Sequence, residues 1–368
     1  MNEESATSQK KKFSTEFKRR AAAGVLLVLL AIACKFLLPA KGDELETLVF
    51  SGNTMATTWQ VKVVDKEFSE ARKESLGEAI AARLEMVNTQ MSPYHKGGDI
   101  YRLNEAHKGV VVKVHHEVLA VLQKAVEISE LTGGAFDVTV GPLIRLWGFH
   151  DKKRLTEPPS EAAIKEAQRR IGYQYLLLDP VHSTVAKGVE GLDVDLSAIA
   201  KGRSVDMVAE TLDANGESNY MVEVGGEIRC RGKNDTGVDW RIGIEKPAAP
   251  DDTQRKVLRV VPLSNLSMAT SGDYRSYYMI HNKRYSHTID PVSGKPVSHA
   301  LASVSVLTED CMTADALATG FTVLGVRESM RIADKRGYAA YFIEREQGGF
   351  KSYASRAFVK KFGKDDKK

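Results

Sequence analysis

Residues 21–40 read "AAAGVLLVLLAIACKFLLPA", a run interrupted by one charge, Lys35, and preceded by the basic stretch "KKKFSTEFKRR". About 20 apolar residues suffice to span a bilayer. The run therefore removes the first forty residues from any globular core, and the fold must be built from residue 41 onward. Two readings stay open. The run is an uncleaved membrane anchor, or it is a lipoprotein signal ending at Cys34, with "LAIAC" as an imperfect cleavage site. Both leave the basic flank in the cytoplasm and residues 41–368 outside it. The expected location is a bacterial inner membrane with the folded part on the periplasmic side.

The expected organisation is a cytoplasmic basic segment (1–20), the apolar segment (21–40), one catalytic domain (41–359) and a basic tail (360–368). Both ends are basic, each with a net charge of +3, whereas the whole chain carries only +4. The domain itself is close to neutral, which gives no footprint for nucleic acid. Cys34, Cys230 and Cys311 form no CxxC, so a zinc or redox motif is unsupported. Cys230 and Cys311 could pair only if the fold brings them together, and otherwise read as two small buried apolar residues.

Strand and helix patterns alternate irregularly. "LVFSGNTMATTWQVKVV" alternates as one long strand or a strand pair, while Leu76, Ile80, Leu84 and Val87 recur at helical spacing within 66–90. Residues 91–106 read as a loop, 115–134 as an amphipathic helix, and 135–150 as packed loop or short elements. Ser160 suits an N-cap. Residues 191–216 read as a strand running into a helix with Ser197 at the junction, and "NYMVEVGGEIRCRG" as a hairpin whose Gly pair is a plain turn or lets a flat ligand approach the backbone. "TADALATGFTVLG" reads as a helix capped by Thr313 and ending at Gly325. Mixed elements without regular βαβ order favour an α+β fold.

No GxGxxG follows a strand and no GxxxxGK[ST] occurs, so neither common nucleotide-binding loop is present. The candidate chemistry is oxygen-rich. Asp315 and Thr319 are four residues apart and share a helix face, as magnesium ligands or simply as a capping carboxylate and a helical hydroxyl. Gly320 beside them would let another backbone approach closely. In "DVDLSAIAKG", Asp195 and Lys201 flank a helix N-terminus, which attracts phosphate or is merely capped. Phe136, Trp147 and Phe149 can line a slot for a planar ring with Asp137 at its polar edge, or serve as plain core. His287, between Ser286 and Thr288, can act as a general base.

Singly, each of these has an ordinary structural explanation. Together, "GNTMATTWQVKV", "MSPYHKGGDIYRLN", "TGGAFDVTVGPLIRLWGF", "VDLSAIAKGRSVDMV", "YMVEVGGEIRCRG", "WRIGIEKP", "MATSGDYRSYY", "YSHTIDPVSGKPV" and "TADALATGFTVLG" occur in an order that resembles the FAD:protein FMN transferases, the ApbE-type flavin transferases. The resemblance runs from about residue 50 to 345.

The resemblance implies a T-fold-like α+β domain with FAD in a deep cleft. It implies cleavage of the FAD pyrophosphate, attachment of FMN through a phosphoester to Thr or Ser of a recipient protein, and release of AMP. Recipients would be exported or membrane-bound subunits of redox complexes. The family's magnesium site falls on Asp315, Thr319 and the backbone carbonyl of Ala198. Its flavin contacts fall on Met55, Tyr94, Ala135, Phe136, Asp137, Asp195, Lys201 and Ile289, and its proposed base on His287. In some members the positions of Ala318 and Lys201 are acidic. The alternatives are an FAD pyrophosphatase yielding FMN and AMP, and a non-catalytic FAD-binding lipoprotein.

Overall fold

Eight strands succeed one another across a single antiparallel sheet in chain order. They are β1 (Glu46–Thr54), β2 (Thr57–Asp65), β3 (Tyr220–Val224), β4 (Glu227–Arg231), β5 (Leu266–Gly272), β6 (Leu301–Thr308), β7 (Ala339–Glu346) and β8 (Gly349–Ala354). The computed structural model describes residues 45–149, 155–247, 256–272 and 277–364, and residues 46 onward form one compact unit. The expected anchor or signal at 21–40 lies outside the described residues. No described helix is long and apolar enough to cross a membrane.

Two excursions from the sheet carry helices. Between β2 and β3 run α1 (Glu70–Gln90), α2 (Asp99–Glu105), α3 (His116–Leu131), α4 (Gly141–Leu146), α5 (Glu161–Gln168) and α6 (Ala200–Ala214). Between β6 and β7 runs α7 (Cys311–Arg336), and α8 (Arg356–Phe362) comes after β8. A small sheet of 112–113, 184–187 and 176–179 and three short hairpins complete the fold. The architecture is α+β, as the mixed pattern implied.

The periodic elements form where their apolar spacing predicts. In α1, Leu76, Ile80, Leu84 and Val87 are the buried residues, and the first three pack with Val61 and Val63 of β2 and Val222 of β3. Each such side chain contributes roughly 1.5–3 kcal/mol on burial. Ser160 caps α5 through the Ala163 amide. Gly225 and Gly226, both at positive φ, turn β3 into β4. A Cβ at Gly225 would lie 2.9 Å from Thr57 Cγ2 and 3.2 Å from Lys201 Cδ, so glycine also makes room for the lysine stem.

Four local expectations are corrected. The loop at 91–106 contains α2, a short helix whose Ile100 and Leu103 are buried. The segment before α6 is no strand. It makes a single bridge, Val140 with Asp193, and its shape is held instead by side chains. The cap of α7 is Asp310, whose Oδ1 accepts from the Thr313 amide at 2.7 Å. Helical geometry breaks at Gly325 (φ 76°, ψ 173°), but the chain resumes as helix to Arg336. The C-terminal lysines Lys360 and Lys361 belong to α8, whose end is held by Arg259 donating to the Phe362 and Gly363 carbonyls.

Candidate active site

A cleft of about 700 Å³ opens at the meeting of the β1–β2 turn, the loops on either side of α4, the N-terminus of α6 and the first turns of α7. Met55, Tyr94, Ala135, Phe136, Asp137, Asp195, Ala198, Lys201, His287, Ile289, Asp315 and Thr319 all line it. Met55 and Thr319 stand near opposite ends of the folded chain, and the fold brings them and every residue named between them to one cleft.

Each is placed by identifiable contacts. Met55 and Ala56 form the β1–β2 turn, both at positive φ. Asn104 clamps the loop before α6 by donating to the Val194 carbonyl (2.9 Å) and accepting from the Val194 amide (2.8 Å). Buried Lys187 donates to the carbonyls of Asn104 and Leu192. The Asp195 amide donates to the Val138 carbonyl at 2.7 Å, tying that loop to the Ala135–Asp137 run. Asp195 Oδ1 accepts from the Ser197 amide and turns the chain toward α6.

Asp137 faces the cleft, but its carboxylate organises the loop. Oδ1 accepts from the Thr139 amide and hydroxyl, and Oδ2 from the Tyr173 amide. Burial raises its pKa against those bonds. Phe136 and Phe149 line the cleft, whereas Trp147 does not. Trp147 is 3% exposed, donates to the Gly294 carbonyl and stacks on Tyr285 in a separate core. That core supports the 277–286 hairpin, from which exposed His287 emerges at the rim. The backbone approach expected at Gly320 is not made: its close neighbours are the Thr132 and Phe136 side chains.

The floor is charged. Asp315 is 5% exposed, and its Oδ2 accepts from the Gly202 amide at 2.9 Å. Burial pushes its carboxyl up, opposed by Lys201 and that amide. Burial works against the Lys201 ammonium too, but the carboxylates of Asp315 and Glu227 outweigh it and raise its pKa above the ordinary lysine value. Asp206, on the same helix, accepts from the Cys311 and Met312 amides at 2.9 and 2.8 Å and so fixes the start of α7.

Glu227 is the residue that sequence reasoning missed. It is 3% exposed, lines the cleft and lies 2.6 Å from Lys201 Nζ. Burial and the nearby Asp315 push its carboxyl up to about 8, against the pull of Lys201. A signal was present. Strand alternation puts Glu227, Arg229 and Arg231 on one face of β4. They pair with Lys201, Asp206 and Asp213 along α6, forming three rungs between strand and helix. Of these three rungs, the one at the cleft places the cation on the helix.

The profile of the ApbE family matches residues 55–342. The chain belongs to the ApbE family. An FAD:protein FMN transferase of Haemophilus influenzae is 41% identical over 345 residues, covering 93% of this chain and 98% of its own. One of Vibrio cholerae is 40% identical over 330 residues, covering 90% and 97%. The solved flavin transferase ApbE of Vibrio cholerae superposes with a TM-score of 0.78 at 40% identity, covering 86% of this chain and 99% of its own. As an ApbE-family protein the chain is an enzyme, and the cleft gathers the candidate site groups other than Trp147.

Proposed function

We propose that this ApbE-family protein is a magnesium-dependent FAD:protein FMN transferase. It would cleave the FAD pyrophosphate, attach FMN through a phosphoester to a Thr or Ser of a recipient protein, and release AMP. The observation that carries this reading is the convergence of Asp315, Thr319, Ala198, Lys201 and His287 on one cleft. Curated relatives named for the same transfer, 41% and 40% identical, support it.

The donors fit magnesium. They are oxygens, a carboxylate, a hydroxyl and a carbonyl, the hard donors that magnesium takes. Asp315, Thr319 and the Ala198 carbonyl would hold the ion. When bound, it would neutralise pyrophosphate charge and polarise the phosphorus under attack. Lys201 at the start of α6 adds a positive charge for the phosphates. Phe136, Phe149 and Tyr94 offer apolar faces for a planar ring. His287 at the rim is placed to take the proton of a recipient hydroxyl arriving from solvent. The work of the site is positioning and charge stabilisation, as in other phosphoryl transfers. The sequence of residues 10–40 supports action outside the cytoplasm, on exported or membrane-bound recipients.

The test is to incubate FAD, magnesium and a recipient domain with the enzyme and run a denaturing gel. A fluorescent recipient band supports transfer. AMP and FMN without a band mean a pyrophosphatase, and yellow protein with no product means a carrier. Asp315→Ala should abolish transfer while keeping its fold by circular dichroism. Full transfer by that folded variant overturns the assignment.

A further inference from the structure

Glu227 has one oxygen accounted for. Oε1 meets Lys201 Nζ at 2.6 Å, while Oε2 has no hydrogen-bond partner among the described residues. A carboxylate oxygen buried without a partner is costly, and a half-satisfied buried charge more so. Asp315 lines the same pocket, and its Oδ2 accepts from the amide of Gly202, the residue after Lys201. The floor therefore holds two carboxylates and one ammonium. With Asp315 and Lys201 alone, the ammonium would cancel the charge that draws a divalent cation, and it would compete for the carboxylate.

We infer that Glu227 is a positioning residue that takes up the charge of Lys201 and leaves Asp315 with the net negative charge a divalent cation requires. The inference rests on the cation-binding role proposed for Asp315. It also explains the reversed rung at the cleft. The Lys–Glu pair keeps an ammonium at the phosphate end of the site without spending the carboxylate beside it.

The test is Mn²⁺ binding to the full chain, measured by electron paramagnetic resonance under argon at pH 8.5. Glu227→Gln adds one positive charge to the trio, Lys201→Met removes one, and the double variant leaves the net charge unchanged. Glu227→Gln should weaken binding about tenfold, Lys201→Met should bind at least as tightly as wild type, and the double variant should return to within about threefold of wild type. Wild-type affinity in Glu227→Gln overturns the inference and leaves the proposed function standing. A double variant as weak as Glu227→Gln also overturns it, because Glu227 would then act on the cation directly. A wild-type protein that binds no Mn²⁺ removes the cation role of Asp315, and the inference with it. Should Glu227→Gln fail to fold, the double variant is compared with Lys201→Met. Binding about tenfold weaker supports the inference, and equal binding overturns it.

Discussion

Met55 and Ala56 hold left-handed backbone at φ 47° and 57°, in a turn that projects into the cleft. Neither is glycine, and a left-handed L-residue costs roughly 1–2 kcal/mol. The hairpin accepts this strain because two-residue turns with both φ positive match the strand twist. Ala56→Gly should therefore raise stability by about 1 kcal/mol, read as an increased urea midpoint at constant slope. Glu227 makes a different prediction. Its folded pKa of about 8 lies above the ordinary value of 4.5, so between those pH values the folded state binds more protons than the unfolded one. This contribution to stability is fully present below 4.5 and is lost as pH rises through 8. In EDTA, the melting temperature of Glu227→Gln should gain steadily on wild type from about pH 5 to pH 8.5. Parallel profiles would show that burial does not burden this carboxyl.

At the scale of elements, the crossing of α6 and α7 assembles the floor of the site. Gly202 sits where they touch. A Cβ there would lie 2.4 Å from the Cys311 carbonyl oxygen and 2.8 Å from Asp315 Cβ. The contact is to backbone, so the helices would have to separate. Gly202→Ala should destabilise by about 1–3 kcal/mol in chemical denaturation. It should also reduce turnover more than the stability loss explains, because the Gly202 amide donates to Asp315. Elements with strong periodicity were legible in the sequence, α1 and α3 by their apolar stripes and the β3–β4 turn by its paired glycines. α2 was not, because seven residues give too short a pattern beside neighbouring Pro and Gly. The break in α7 at Gly325 was legible as a boundary, but its continuation depends on packing: Ser329, Ile332 and Ala333 are buried beyond the kink.

At the scale of the whole molecule, residues 46 onward form one unit with a sheet ordered as the chain runs. A chain starting at residue 41 should therefore unfold in one cooperative transition, checked by coincident fluorescence and circular dichroism curves. It should also retain transfer to a soluble recipient domain. The charged rungs between β4 and α6 join the sheet to the helix that carries Lys201, so the cleft floor and the core stand or fall together.

By itself, the sequence determined the kinds of element and the chemistry on offer. Helical spacing put Asp315 and Thr319 on one face, and ordered motifs marked the family resemblance. Local pattern suffices for these because their partners lie within a few residues. Only the tertiary structure decided that Trp147 leaves the cleft for a separate core, that Asp137 spends its carboxylate on its own loop, and that Glu227 meets Lys201. Those outcomes depend on which strand packs against which helix, and on burial that turns an ordinary surface charge into a group needing a partner.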